Sequence, residues 1–487
     1  MKNHTLDNTA QDNISFSVGL NIIVDYYFDK LGLANYLKTL VLKKKEEFTK
    51  RIKLLITNRL SEYFSINYCA KQYGQNIQFL KEINSKPFIE KTLYRDVEDL
   101  GKNFYPSMHY VNRQLVQIYE LTKERINIDW SSITLFGDKC DLAKYGFNKD
   151  HRPDKKQINI GVANIATKKN IPLMLTVQEG NIPDVIHFET IFRQCFPYVK
   201  RESLFVYDNG GDSEKNRNQV IGEQMNFLTR KRINNSDKLQ LEYVNKCIVE
   251  QNFKNVVIID KKREIYAYYH KSKNSKYHTY YYFSKELFDK KIKSKNKQFD
   301  KKITEAEKIE AYYEKHNKLP AKYNIKNPLL DITISFQKRL SKLDKPKAKK
   351  LLYTKSPIKF EGYFALQSSI KLDIYDAFNF YKEKDSIERL IGSLKNTIQI
   401  KPLRAKNENT IRGLLLIGYI SYLILGLLQY EVPELQNIDP KFIKLALSDL
   451  TLTIKNPKSS KIEKIFSNFN QICQHVFSRI VGLKWST

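Results

Sequence analysis

Apolar residues between Phe16 and about Leu121 recur at helical spacing: Leu20, Ile23, Val24, Tyr27 and Phe28, then Ile52, Leu55, Ile56 and Leu60. That periodicity predicts a helical N-terminal domain over 1–121, with residues 1 to about 14 disordered. The texture changes at Ile126. INIDWSSITLF (126–136), QINIGVANI (157–165) and IPLMLTVQEG (171–180) read as three strands, separated by turn-formers and a Lys-rich loop. A helix is expected over 185–195, then a short apolar strand, LFVY (204–207), running into Asp208-Asn209-Gly210-Gly211. MNFLTRKRI (225–233) is a candidate further strand. Three strands, a helix and another strand describe a mixed α/β sheet.

From 236 to 359 the chain is strongly basic. Ile265–Tyr269 and Tyr277–Phe283 read as a hairpin around HKSKNSK, and a Lys/Glu-rich helix is expected over about 285–318, with QKRLSKLDKPKAKK (337–350) beyond it. The α/β texture returns in FEGYFALQSS (360–369). The basic block therefore reads as an insertion in a domain formed by 122–235 and 360–430, with 431–487 as amphipathic helices closing the chain. Within the second part, GLLLIGYISYLILGLL (413–428) is almost wholly apolar. It is shorter than the ~20 residues a bilayer requires, so it reads as a buried helix and not a membrane span.

Composition adds a partner class. The chain carries 83 Lys+Arg against 53 Asp+Glu, a formal charge of +30, which attracts polyanions. The plain alternative is a Lys-rich proteome, and the abundance of Lys, Asn and Ile in this chain supports that as a contributing cause. The five cysteines stand at scattered positions, and the eight histidines form no HExxH or Cys/His cluster. That spacing speaks against zinc and against a disulfide framework. The N-terminus, MKNHTLDNTAQDN, is polar and lacks a signal core.

The most informative stretch is YKEKDSIERLIGSLKN (381–396). On one helix advancing about 100° per residue, Tyr381, Lys384, Glu388 and Lys395 fall within an arc of roughly 60°. Ile387, Leu390, Ile391, Leu394 and Ile398 form the adjoining apolar stripe. An acid aligned with an aromatic and two cations suits a place where a metal and a phosphate meet. Two further acids stand where burial is costly: Asp129 inside an apolar strand, and Asp208 ending LFVY before a glycine turn. Each has a plain structural reading. Asp129 can cap a bend or pair with a lysine, Asp208 can be a turn aspartate, and Glu388 can be the i,i+4 partner of Lys384. Brought together, the three would repel one another unless a divalent cation relieved the repulsion. Oxygen-only ligation favours Mg²⁺ or Mn²⁺ over zinc.

The order Asp129, Asp208, Glu388 along this architecture resembles the DDE transposases of bacterial insertion sequences, which share a ribonuclease-H-like fold. The Tyr381-x-x-Lys384-x-x-x-Glu388-x-x-x-x-x-x-Lys395 spacing is similar to the Tyr-Arg-Glu-Lys signature of the insertion-sequence-four superfamily, with lysine in the arginine position. Lysine keeps the charge but loses the bidentate fork. Asp129-Trp130-Ser131-Ser132, the loop Tyr145 to Pro153, Gly180-Asn181 with Asp184, and Val206 to Asn216 resemble further family stretches. The resemblance covers about 120–430 and, more faintly, the N-terminal domain.

It implies an α/β, ribonuclease-H-like mixed-sheet catalytic core interrupted by the basic β-rich and helical insertion, with helical N- and C-terminal regions. It implies two Mg²⁺ or Mn²⁺ ions on Asp129, Asp208 and Glu388, and DNA phosphates gripped by Tyr381, Lys384 and Lys395. The expected partners are duplex DNA (terminal inverted repeats and target) and a second copy of the chain, with no membrane. The expected place is the bacterial cytoplasm, at the nucleoid. A non-catalytic DNA-binding relic and a nuclease without strand transfer are the rival readings. Tyr266, Tyr268, Tyr269, Tyr277 and Tyr280 to Tyr282 suit base stacking, but alternating tyrosines are more often ordinary hairpin packing, so they are not assigned to a site. The lysine runs at 290–302 and 345–350 suit phosphate contact or a solvated helix face.

Overall fold

A computed structural model describes residues 13–481 except 62–64, 121–122, 137–139, 167–170, 274, 317, 319–344, 357–359, 402, 406 and 456–462. The expected disorder of the first residues, and much of the 337–350 lysine run, lie outside the described residues. The chain forms two compact units, 1–227 with 380–487, and 228–379.

The first unit carries strands β1 (Ile14–Ser17), β2 (Lys123–Thr134), β3 (Gln157–Ile165), β4 (Pro172–Glu179) and β5 (Val199–Tyr207). Its main sheet has the order β4-β3-β2-β5. β2, β3 and β4 are antiparallel neighbours, whereas β5 returns parallel to β2 after the helix Asp184–Cys195. The observed architecture is mixed α/β, with the three-strand, helix, strand succession that the alternation predicts. Because successive strand residues face opposite sides, β2 sorts its side chains sharply. Trp130 goes to the side of the Asp184–Cys195 helix, where it meets Phe188. Asn127 goes to the other side, where it meets Ser386, and Asp129 shares that face.

The N-terminal region is helical as expected, with seven helices between Gly19 and Tyr119 among the described residues. A buried bidentate pair, Arg51 Nε to Asp96 Oδ2 (2.5 Å) and Nη2 to Oδ1 (3.1 Å), joins two of them. The apolar stretch forms the helix Glu408–Glu431, long and apolar enough to cross a membrane, but 94% of its most apolar window is buried. It packs on the helices Lys45–Leu60 and Glu90–Lys102. A Cβ at Gly413 would lie 2.0 Å from the Val97 carbonyl oxygen, so the helices approach backbone to backbone there.

The expectation of a purely helical C-terminal region is corrected. With β6 (Asn226–Lys231), β7 (Val257–Asp260), β8 (Ile265–His270), β9 (His278–Ser284) and β10 (Tyr363–Ser368) following β5, the last strands are β11 (Thr451–Lys455) and β12 (Glu463–Ser467). β11 is the centre of a small antiparallel sheet, β1-β11-β12. Its sequence TLTIK alternates and buries Leu452 and Ile454, a period of two that a helix does not satisfy.

The second unit contains the order β6-β10-β9-β8-β7. The β8–β9 hairpin forms as the sequence predicts. Its tyrosines are mostly used in packing: Tyr280, Tyr281 and Tyr282 are buried, and their hydroxyls donate to Leu372 O (3.0 Å), Asp237 Oδ1 (2.6 Å) and Ile374 O (3.0 Å). The Lys-rich segments form helices Lys285–His316 and Lys345–Lys355, which bury Phe299, Ile303, Ala306, Ala348 and Leu352 between them.

Candidate functional site

Asp129 and Asp208 reach the same end of the sheet because β2 and β5 run parallel. Their last paired residues are Ile128 and Tyr207, each one residue before an aspartate. Asp208 Oδ1 accepts from the Asn209 amide (2.7 Å) and from Tyr381 Oη (3.0 Å). The glycine turn beyond it is set by Trp130. A Cβ at Gly211 would lie 2.4 Å from Trp130 Cη2, so glycine lets the turn lie flat on the ring.

The helical stretch bearing the third acid differs from expectation. A single helix from 381 to 396 is replaced by two, Ile374–Lys382 and Asp385–Asn396. The chain tightens at the junction, where the Lys384 amide donates to Tyr381 O (3.2 Å), Ser386 to Glu383 O (2.9 Å) and Ile387 to Lys384 O (3.0 Å). Tyr381, Lys384, Glu388 and Lys395 therefore do not share one helical arc. The break follows from burial. Ser386 is drawn onto the sheet, its Oγ accepting from Asn127 Nδ2 (3.4 Å) and Asn164 Nδ2 (3.2 Å). Arg125 reinforces the turn by pairing with Glu383 (2.9 Å) and covering the Phe380 ring.

The turn brings the three acids around one ammonium. Lys384 Nζ, almost fully buried, lies 3.4 Å from Asp129 Oδ2 and 3.3 Å from Glu388 Oε1. Burial works against its charge, but Asp129, Glu388 and Asp208 together hold its pKa above the ordinary lysine value. Burial raises the pKa of Asp129, opposed by Lys384 and Lys149, with Glu388 adding to the rise. Asp129, Asp208, Glu388, Tyr381 and Lys384 thus share one neighbourhood. The plain readings also hold there: Asp129 and Glu388 each pair with lysine, and Asp208 accepts from its own turn.

Lys395 stands a little apart. It is nearly buried and shares Asp150 with Lys401, each at 3.2 Å. The two ammoniums hold Asp150 below the usual carboxylate range against the cost of its burial. Burial lowers the Lys395 pKa, and Lys401 and Lys149 push the same way. Lys149 itself donates to Trp130 O (2.8 Å) and Asp184 Oδ2 (3.1 Å), tying the loop after β2 to the Asp184–Cys195 helix. Ser386 and Lys401 carry no signal in the sequence, because serine and lysine are common and their partners lie far away along the chain. The Lys149-Asp150 dipeptide had a signal in its loop, though not its role.

The donor set suits a hard divalent cation: carboxylate oxygens only, with Asp129 and Asp208 half-buried and Glu388 exposed. The spacing is that of an ammonium complex. Among the described residues no three Asp, Glu, His or Cys side chains are arranged to hold a metal ion. Lys384 supplies the positive charge that these carboxylates require.

His187, on the adjoining helix, is a buried neutral imidazole. Its Nε2 lies 2.8 Å from Thr176 Oγ1, and burial, aided by Lys149, lowers its pKa to about 3. Below the unfolded value of 6.5 the unfolded chain binds a proton that the folded one refuses. Stability should therefore fall by about 1.4 kcal/mol per pH unit as pH drops from that value. Urea unfolding at pH 7 and pH 5 should show a loss roughly 2 kcal/mol larger for the wild type than for His187→Gln. Equal losses would place the acid sensitivity elsewhere.

No family model matches the chain, and a search of curated proteins finds no match. Among solved structures, the cryo-EM structure of a piggyBac transposase synaptic complex with hairpin DNA is similar over 88% of this chain and 79% of that chain. The identity is 11% and the TM-score 0.42, a likeness too loose to carry an argument about fold or function.

Proposed function

We propose that the chain is a DNA transposase of the DDE type, which cuts the ends of an insertion sequence and joins their 3′-hydroxyls to target DNA. The observation that supports this most is the gathering of Asp129, Asp208 and Glu388 around Lys384, at the end of a sheet whose order suits a ribonuclease-H-like core. The second unit takes the place of the basic insertion in that reading. Asp129, Asp208 and Glu388 would hold two Mg²⁺ or Mn²⁺ ions, which supply an activated water or 3′-hydroxyl and neutralise the leaving oxygen. Tyr381 keeps the Asp208 carboxylate turned toward the site through its hydroxyl. Lys384, once its acids have other counter-charges, is positioned to meet the scissile phosphate. Lys395 is positioned to grip a neighbouring one in exchange for Asp150. Two ends need two such sites, so the working form is a homodimer on paired terminal inverted repeats.

A relic that binds DNA without cutting is favoured by one observation, the ammonium-centred spacing of the acids. A supercoiled-plasmid assay separates the readings. With Mg²⁺ the transposase nicks, and with pre-cut labelled ends it joins them to a target plasmid. Binding without nicking identifies the relic, and nicking without joining identifies a nuclease.

A further inference from the structure

Beyond the C-terminal end of the Asp385–Asn396 helix lies a cleft of about 270 Å³, still within the first unit. Arg59 and Tyr94 from the N-terminal helices line one side, and Gln399, Lys401 and Arg404 line the other. Three of its described lining residues are cations and none is an acid. Its walls are fixed by main-chain ties. Leu403 donates to Thr134 O (3.2 Å) and accepts from the Phe136 amide (2.8 Å), anchoring the segment to the end of β2, the strand of Asp129. Lys444 Nζ holds Ser61 O (3.3 Å) and Thr397 O (3.2 Å) together. Arg59 Nη1 donates to Gln399 O (3.2 Å), and Gln399 takes the left-handed conformation, φ 54°. At the helix end, Ser393 O accepts from Thr397 and Ile398 and Leu394 O from Ile400, which occupies two of its terminal carbonyls.

Lys401 connects this cleft to the site. Its ammonium shares Asp150 with Lys395 yet is about one-third exposed. The cations Lys395, Lys401, Arg404 and Arg59 thus run from the acids toward the N-terminal helices. We infer that the cleft is a phosphodiester-binding subsite, which takes one strand of a bound duplex from the Asp129–Asp208–Glu388 site toward the N-terminal helices. The inference rests on the DNA-binding part of the proposed function and adds to it a contact surface outside the acids and their signature.

The test is binding of the full chain to a fluorescein-labelled duplex of arbitrary sequence, followed by anisotropy in EDTA over a range of KCl, so that cleavage plays no part. Loss of one phosphate contact should flatten the dependence of log K on log salt by about 0.9 and weaken binding roughly fivefold near 0.15 M salt. Arg404→Ala and Lys401→Ala are expected to show this, and Arg59→Ala also if circular dichroism finds it folded. Arg404 is exposed, so its variant carries the test even if Arg59→Ala does not fold. Lys455→Ala, at the end of the central strand of the small sheet, controls for net charge. If the wild type binds and the Arg404 and Lys401 variants lose no more slope than Lys455→Ala, the subsite is wrong while the DNA reading stands. If the wild type does not bind duplex DNA, both fall.

Discussion

Exchange of Asp208 for asparagine is expected to cut Mg²⁺-dependent plasmid nicking by about three orders of magnitude and to leave the fold intact. The size follows from the chemistry: a bound divalent cation contributes several kcal/mol to a phosphodiester displacement, and about 1.4 kcal/mol is a factor of ten in rate. The fold survives because an asparagine Oδ1 still accepts from the Asn209 amide and from Tyr381 Oη, the two contacts that Asp208 Oδ1 makes. Glu388→Gln should lose as much activity at little cost in stability, since the Glu388 side chain is 60% exposed. Asp129→Asn should lose the same activity and some stability, because it leaves Lys384 buried beside a neutral amide. Nicking rates paired with thermal melts distinguish the three. Rates within tenfold of wild type for all of them would remove the acids from the chemistry.

Lys384→Ala should produce the largest stability effect at the site. It leaves Asp129 buried without its nearest cation, and breaking a buried pair in this way costs about 3–5 kcal/mol. The loss should appear in EDTA and shrink with Mn²⁺, because an ion bound to the folded state alone stabilises it by about 2.7 kcal/mol at a hundredfold excess over Kd. The wild type should gain less from Mn²⁺ than the variant, since its own ammonium competes for the same carboxylates. Melting of both proteins in EDTA and in MnCl₂ reads this directly. A variant as stable as wild type in EDTA would mean that Lys384 is not the counter-ion. An equal Mn²⁺ response in both would mean that ammonium and metal do not compete.

The strands were legible because their signal is local. β3 occupies the residues predicted for it, and the β8–β9 hairpin follows the alternation of Tyr-rich runs about a Lys/Ser/Asn turn. The aspartates were legible as carboxylates in places too apolar for them. The break at Lys384 was not. Residues 381–396 carry good helical periodicity throughout, and what interrupts them is the pull of Ser386 onto Asn127 and Asn164, residues more than two hundred positions away. β11 escaped notice because five residues of alternation weigh little until β1 and β12 pair with them.

By itself the sequence determined the alternation of strands and helices, the order of the acids, the excess of positive charge and the apolar stripe of the Glu388 helix. These are properties of spacing and side-chain type, and they survive whatever the chain does at long range. The Lys384–Glu388 pair is an i,i+4 spacing readable in the sequence, but only the tertiary structure decided the long-range pairings: Lys384 with Asp129 and Asp208, and Lys395 with Lys401 on Asp150. With so many lysines to choose from, identity says nothing about pairing between residues far apart in the chain. The choice is made by the parallel return of β5 beside β2 and by a buried turn that points one particular ammonium inward.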